Sequence, residues 1–365
     1  MRVIIVGGGI LGLMQARSAV RRGHEVVHLE REAGTRGASV RNFGLVWVSG
    51  RATGPELDLA LSARQLWEEI GRDVPGVGFR ANGSLTVLRT PAELAVAQEV
   101  CARPDAAERG LRLLEADEVR RVNPAVRGEL LAAVLCERDA AVESRQVPQA
   151  LRDALAATGR YRWLPGREVR ELSGGPSVVD HLGVRHDADL VVQCTGAAHT
   201  GLSGTHLSAA PLRRVRLQMM QTAPLDEPLT TSLADGDSLR YYPAWQTPAL
   251  AALPPQAPVA AAGKMQLLLV QRLDGSLTIG DTHEYAEPFA FDVDERYYDY
   301  VRAVAEQLLG RTLPPIVRRW AGVYSQTTDD AIYHRAQPAP GVTVVTGPGG
   351  RGMTLSPAIA EETFA

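Results

Sequence analysis

The chain has 365 residues, 45% of them hydrophobic and 22% charged, with 39 Lys and Arg against 42 Asp and Glu for a formal net charge of −3. That length exceeds what one hydrophobic core serves, so two lobes are expected; the near-neutral balance, with arginines scattered along the chain, excludes nucleic acid as the main partner, because phosphate binding needs a concentrated basic face. Cys101, Cys136 and Cys194 give neither a disulfide framework nor a metal-ligand spacing, no apolar run reaches the length of a membrane span, and no basic-then-apolar leader precedes the first strand, so the expectation is a cytoplasmic protein without a membrane span.

The N-terminal stretch "MRVIIVGGGILGLMQARSAVRRGHEVVHLERE" predicts a βαβ unit: a buried strand from Val3 to Val6, a glycine turn, a helix from about Leu11 to Arg22 and a strand from Glu25 to Leu29. Gly7, Gly9 and Gly12 stand at the G-x-G-x-x-G spacing, where the first allows the tight turn, the second lets a pyrophosphate approach the backbone and the third allows close helix packing. Glu30 closes the second strand and can accept hydrogen bonds from both hydroxyls of an adenosine ribose. Together the three glycines and the acid predict dinucleotide binding.

Further along, "GASVRNFGLVW" offers Ser39 and Asn42 as donors to phosphate or ring edges, and Gly44 as a place where backbone can lie against a flat ligand. "GSLTVLRT" from Gly83 has strand character, and "DAAVESRQVPQALRDALAA" (139–157) predicts an acidic turn followed by an amphipathic helix. "ADLVVQCTGA" predicts a buried strand over Leu190–Val192 that ends at Thr195 and Gly196 and rejoins the nucleotide-binding sheet. Strand character recurs in "RRVRLQMMQT" from Arg213, "SLRYYPAW" from Ser238 and "MQLLLVQRLDGSLTIGDTHEY" from Met265, the last a hairpin turning at Asp274-Gly275. Residues 249–263, rich in Ala and Pro without a periodic face, are expected to form a loop. "TGPGGRGMTLSPA" (346–358) follows the strand-like "GVTVVT" and opens a helix, a setting in which backbone N–H groups meet an electron-rich ligand edge. The eight histidines include no H-E-x-x-H motif, so no metal is expected; nor is there a G-x-S-x-G elbow for hydrolysis.

In that order, "VGGGILGLMQA", "GASVRNFG", "ADLVVQCTGA", "DGSLTIGDT", "WAGVYSQTTDD" and "TGPGGRGMTLSPA" resemble the FAD-dependent amine oxidoreductases of the D-amino-acid oxidase, glycine oxidase and sarcosine oxidase superfamily. The resemblance spans nearly the whole chain. It implies an α/β protein with a Rossmann-like FAD-binding lobe assembled from residues 1–50, 138–210 and 325–365, and a mostly antiparallel substrate lobe from 51–137 and 211–324. It places Gly7, Gly9, Gly12 and Glu30 at the ADP half of FAD, Ser39, Asn42 and Gly44 along its middle, Val169 by the adenine, Thr195 and Gly196 at the returning strand, and Gly350, Gly352, Met353 and Thr354 at the flavin ring.

The implied chemistry is oxidation of a small amine: a hydride leaves the α-carbon for the flavin, the imine hydrolyses, and molecular oxygen or another acceptor reoxidises the cofactor. The family resemblance implies no obligatory side-chain base. Amino-acid-oxidising members carry an Arg after a W-x-G-like turn that grips the substrate carboxylate; here "WAGVYSQ" has Tyr324 in that neighbourhood and no Arg. The substrate anion is then absent or held by another group, for which Arg41, Arg240, Tyr241, Tyr242, Arg272 and His283 are the pocket candidates. "SVRNFGLVW", "RYYPAW" and "GDTHEY" are also similar to a branch that accompanies phosphonate degradation, which implies a small aminophosphonate, a tetrahedral anion suited to dispersed donors. A glycine, sarcosine or D-amino-acid oxidase, an NAD(P)H-dependent flavin hydroxylase and a non-catalytic or electron-transfer flavoprotein are the alternatives. Lys264, the single lysine of the chain, adjoins a loop rather than a family motif and reads as a surface residue.

Overall fold

The computed structural model describes residues 1–172 and 175–365. The elements that position the site are, in chain order, β1 (Arg2–Val6), α1 (Ile10–Arg21), β2 (Glu25–Glu30), β3 (Tyr161–Pro165), β4 (Leu190–Gln193), β5 (Leu212–Pro224), β6 (Leu268–Gln271), β7 (Ser276–Gly280), β8 (Ile316–Thr327), β9 (His334–Ala339), β10 (Val342–Thr346) and α2 (Gly352–Glu361). One six-stranded sheet runs β9-β10-β4-β1-β2-β3. All its pairs are parallel except β9 with β10. The apolar run Val3–Val6 of β1 and the fully buried β10 are what strands covered on both faces require, and α1, buried from Ile10 to Val20, supplies one cover. Because β1, β2, β4 and β10 point the same way, Gly7–Gly9, Glu30, Thr195–Gly196 and the 347–350 stretch all emerge at one edge, where α/β sheets bind ligands.

The second sheet has eight strands in the order β8-β5-β7-β6, then Ser232–Ala234, Ser84–Leu88, Ala132–Cys136 and Leu111–Glu115. It is antiparallel apart from the pairing of Ser232–Ala234 with Ser84–Leu88. The long β5–β8 ladder sets Val215 opposite Tyr324 and Met219 opposite Trp320. Helix Glu295–Leu309 covers one face through Tyr298, Val301, Val304, Ala305, Leu308 and Leu309. The hairpin at Asp274-Gly275 forms as its sequence predicts, with Gly275 at φ +84°. Helix Pro55–Asp73 packs with α1 and α2 rather than with the second sheet: Trp67 and Ile70 share a core with Met14 and Met353, and the Trp67 indole N–H donates to the Met353 carbonyl at 2.9 Å.

Three local expectations change. "SLRYYPAW" is a helical turn (Ser238–Tyr241) followed by a 3-10 turn (Pro243–Trp245), because Pro243 lacks the N–H a ladder needs and fixes a turn-compatible φ. The 249–263 segment holds a 3-10 turn (Pro248–Ala252) and a short helix (Pro258–Gly263), each opened by proline at its first position and continued by alanine. "WAGVYSQ" runs inside β8 and makes no turn.

Candidate active site

A cavity of about 1540 Å³ extends from the glycine edge of the parallel sheet to the face of the antiparallel one. Single-ligand pockets usually fall within roughly 300–1,000 Å³, so this volume accommodates a dinucleotide and a small co-ligand together. Its lining includes Gly7, Gly9, Glu30, Val169, Ser39, Asn42, Thr195 and Gly196. It also includes Gly350, Gly352, Met353 and Thr354 together with Arg41, Arg240, Tyr241, Tyr242, His283 and Tyr324.

The loop after β1 is built for close approach. Gly7 has φ +107°, and a Cβ there would stand 2.4 Å from the Cys194 carbonyl oxygen. Gly12 does not reach the cavity; its added Cβ would fall 2.0 Å from the Gly7 carbonyl oxygen, so this glycine seats the helix on the turn. The Glu30 carboxylate accepts from the Gly8 N–H at 2.5 Å and the Glu32 N–H at 2.9 Å, fixing it across the loop. Ser39 Oγ accepts from the Ile10 N–H at 2.8 Å, satisfying one of the free donors of the first turn of α1. Beneath the loop His28 is fully buried, with Nε2 3.0 Å from the Gly7 carbonyl oxygen and Nδ1 3.0 Å from the Tyr161 hydroxyl. Burial lowers its pKa to about 4.

Three sequence candidates play other parts. Asn42 lines the cavity, but its amide donates to the Ala38 and Ser39 carbonyls and accepts from the Gly44 N–H, so it shapes its own loop. Gly44 lies off the cavity: at φ +72° its Cβ would fall 2.1 Å from the Val142 carbonyl oxygen, so the close approach it permits is to another strand. Arg272, expected in the pocket, is buried outside it, donating to Phe43 O, to Val142 O at 3.1 Å and to Thr278 Oγ1 at 2.9 Å beside Glu143. Its donors are consumed in tying the hairpin to the 43–44 and 142–143 backbone, and burial lowers its pKa to about 10.

Of the remaining cations, Arg41 donates to the Ala321 carbonyl at 2.9 Å, and Arg240 to Asp237 at 3.1 Å and to Pro254 O. Thr354 Oγ1 accepts from the Trp47 N–H and donates to the Leu45 carbonyl, locking α2 to the 45–47 segment. Lys264 is exposed, with its amine 4.3 Å from the centre of the Tyr285 ring, and does not line the cavity.

The fold also brings in residues that the sequence did not single out. Glu56 lies between two guanidinium groups, 3.5 Å from Arg51 Nη1 and 3.5 Å from Arg351 Nη1. Arg51 Nε donates to the Trp47 carbonyl at 2.8 Å, and Arg351 Nε to the Pro348 carbonyl at 3.0 Å. Two cations around one carboxylate leave a net positive charge at this part of the wall. The Arg51 guanidinium carbon is 5.7 Å from the centre of the Tyr242 ring. From the Tyr242 hydroxyl the wall continues to Gln266 (Nε2 at 3.4 Å) and on to Asp281 (Oδ1 3.4 Å from that same Nε2). Tyr241 stacks on His283 at 4.2 Å between ring centres. The Tyr324 hydroxyl has Tyr241 beside it but no hydrogen bond of good geometry, and Gly350 is its neighbour across the cavity. Burial pushes the phenols of Tyr241, Tyr242 and Tyr324 well above their ordinary value, so all three stay protonated. The signals for these residues were slight: Arg351 stands inside the C-terminal glycine string, and Asp281 two places before His283.

Residues 2–365 match the family model described as FAD dependent oxidoreductase (DAO). The chain belongs to that family. It is therefore an FAD-dependent oxidoreductase. Among curated proteins it is similar to D-amino acid dehydrogenase 2 of Pseudomonas aeruginosa, with 29% identity over 303 residues, 66% of this chain and 71% of the relative. L-proline dehydrogenase from P. horikoshii shares the fold at a TM-score of 0.80 and 18% identity, over 99% of this chain and 91% of that one. Glycine oxidase from Bacillus cereus does so at 0.78 and 18%, over 99% and 93%. Among the described residues no helix is long and apolar enough to cross a membrane, and no cluster of His, Cys, Asp or Glu could hold a metal ion.

Proposed function

We propose that this enzyme oxidises a small zwitterionic amine whose anionic group is not an α-carboxylate, an aminophosphonate of the 2-aminoethylphosphonate type being the substrate class that suits the cavity. The observation that carries this reading is the Arg51–Glu56–Arg351 cluster on a wall that has Tyr324, and no arginine, at the clamp neighbourhood. Two guanidinium groups approaching from separate chain segments suit the dispersed oxygens of a tetrahedral anion, whereas a planar carboxylate is best met by one bidentate fork.

FAD fits the remainder of the cavity. Gly7, Gly9 and the first turn of α1 would receive its pyrophosphate, Glu30 its ribose and Val169 its adenine side, while Gly350, Gly352 and Met353 at the start of α2 would face the ring. When bound, FAD supplies the two-electron acceptor for the α C–H bond. The chain's own work is to fix the anion, aim the α-carbon and exclude water, which the ring wall of Trp47, Tyr241, Tyr242 and Tyr324 favours. A second reading, oxidation of a D-amino acid, draws on the similarity to D-amino acid dehydrogenase 2, with Arg51 or Arg351 taking the carboxylate.

An anaerobic flavin-bleaching screen separates the two. The first reading expects 2-aminoethylphosphonate or its N-methyl or 1-hydroxy relatives to reduce the flavin with a higher kcat/KM than glycine, sarcosine or D-alanine, and Arg51→Met and Arg351→Met each to raise KM. Preference for D-alanine would establish the second reading. Reoxidation followed with oxygen and with a quinone-type dye would identify the acceptor.

A further inference from the structure

Asp281 is a buried acid on the cavity wall to which the proposed function has given no task. It follows β7 directly and is 5% exposed. Among the described residues no arginine or lysine forms an ion pair with it. Its partners are the Gln266 amide, with Nε2 3.4 Å from Oδ1, and the His283 ring, with Nε2 3.9 Å from Oδ2. His283 Nδ1 lies 3.0 Å from the Lys264 carbonyl oxygen, which can only accept, so Nδ1 bears a hydrogen and Nε2 is the ring atom turned toward the carboxylate. Gln266 Oε1 is an acceptor buried with no partner. All three residues line the cavity. A buried carboxylate with no arginine or lysine partner among the described residues, beside an unpartnered amide oxygen, is costly, and an ammonium donor seated there would offset that cost.

The groups packed around this acid are phenol hydroxyls rather than a cation. Tyr241, stacked on His283, and Tyr242, at the Gln266 amide, are phenols held protonated by burial, as are Tyr285 and Tyr324 nearby. Arg51 lies over the Tyr242 ring, beside Glu56. The Tyr242 side chain thus spans a cationic pole and an anionic one, an arrangement that matches a zwitterion end to end.

We propose that Asp281, braced by Gln266 and His283, docks the substrate's ammonium group and accepts its proton. The N–H bond breaks with its electron pair left on nitrogen, and an O–H bond forms on the carboxyl. No oxidant or co-reactant enters this step, and its product is the neutral amine that oxidation requires. Burial raises the Asp281 pKa above the ordinary carboxyl value, which narrows the gap to an ammonium donor. The proposal rests on the reading of the enzyme as an amine oxidoreductase and adds to it the group that selects and deprotonates the amine.

The test uses the FAD-loaded protein and ligands whose nitrogen-bearing carbon has no hydrogen, (2-amino-2-methylpropyl)phosphonate and 2-aminoisobutyrate, each paired with its amine-free counterpart, 2-methylpropylphosphonate and isobutyrate. Calorimetric titration should show the natural protein preferring the amine of at least one pair by about ten- to a hundredfold. Asp281→Asn should abolish that preference while leaving the amine-free affinity and the FAD content unchanged. After subtraction of the amine-free ligand, the natural protein's amine affinity should fall as pH drops through the Asp281 pKa, and that of Asp281→Asn should stay flat. Because two methyl groups enlarge the probe, the same comparison is made with Kd values from anaerobic bleaching by 2-aminoethylphosphonate and glycine, where Asp281→Glu should recover part of the loss. Amines that bind and bleach Asp281→Asn as they do the natural protein would overturn the assignment and leave the proposed function standing. Failure of every amine to bind the natural protein would overturn both.

Discussion

Acidification should lower the folding stability of the chain through one residue, His28. The ring is sealed beneath the glycine turn, and burial holds its pKa at about 4 against an ordinary value near 6.5. Between these values the folded chain binds fewer protons than the unfolded one, so this contribution to stability is present above about pH 6.5 and is lost as pH falls toward 4. The full difference is about 3.4 kcal/mol, of which about 2 kcal/mol has gone by pH 5. In His28→Gln the amide can still donate to the Gly7 carbonyl but cannot titrate. The stability advantage of the natural protein over the variant should therefore shrink by about 2 kcal/mol between pH 7.5 and 5, or about 2–3 °C in Tm for a chain of this size. Subtracting the variant removes every other titrating group common to both proteins. Because the folded ring stays mostly neutral down to about pH 5, the loss arises from proton uptake by the unfolded chain, and the FAD dissociation constant of the folded natural protein should stay nearly level over the same interval. A difference curve that stays level from pH 7.5 to 5 would refute the reasoning.

Gly12→Ala should force α1 outward by at least 1 Å, since the added Cβ would stand 2.0 Å from the Gly7 carbonyl oxygen where real contacts begin near 3.0 Å; a loss of about 1–3 kcal/mol is expected, with weakened FAD binding, both read from thermal melts with and without FAD. Gly352→Val should spare the fold, because Gly352 has ordinary helical φ −57° and ψ −41° and its nearest neighbour is Pro348 Cγ at 3.3 Å; backbone strain, one reason the sequence suggests for a glycine there, does not apply. Its effect should appear as a raised FAD dissociation constant at nearly unchanged Tm, and unaltered FAD affinity would remove the C-terminal glycine string from the ring site. Tyr324→Arg should raise kcat/KM for glycine and D-alanine relative to 2-aminoethylphosphonate, a desolvated charge pair being worth about 2–5 kcal/mol; a natural enzyme that already prefers an α-amino acid would sink the phosphonate reading and leave FAD-dependent oxidation untouched.

What the sequence disclosed and what it hid follow one physical division. Where the chain meets a ligand through its backbone, the requirement is local: a tight turn after β1 demands glycine at positions 7 and 12, and the acid at the end of β2 follows at a fixed distance, so a short stretch of sequence carries the whole signal. Where side chains do the work, the signal is divided among distant segments. Arg51 and Arg351 are joined only by Glu56, and Asp281 meets Gln266 only because β6 and β7 pair with Leu268 opposite Gly280. Composition cannot separate such an arginine from Arg272, which carries the same guanidinium but whose donors are taken by the Phe43 and Val142 carbonyls. The same division explains Tyr324. Its place on the cavity wall depends on the β5–β8 register that sets it opposite Val215, and side chains alternate between the faces of a sheet, so a slip of one residue would turn the Tyr324 side chain to the other face. On the proposed reading, specificity for the amine rests on strand register, which no short motif records, while affinity for the nucleotide rests on a turn, which a motif does.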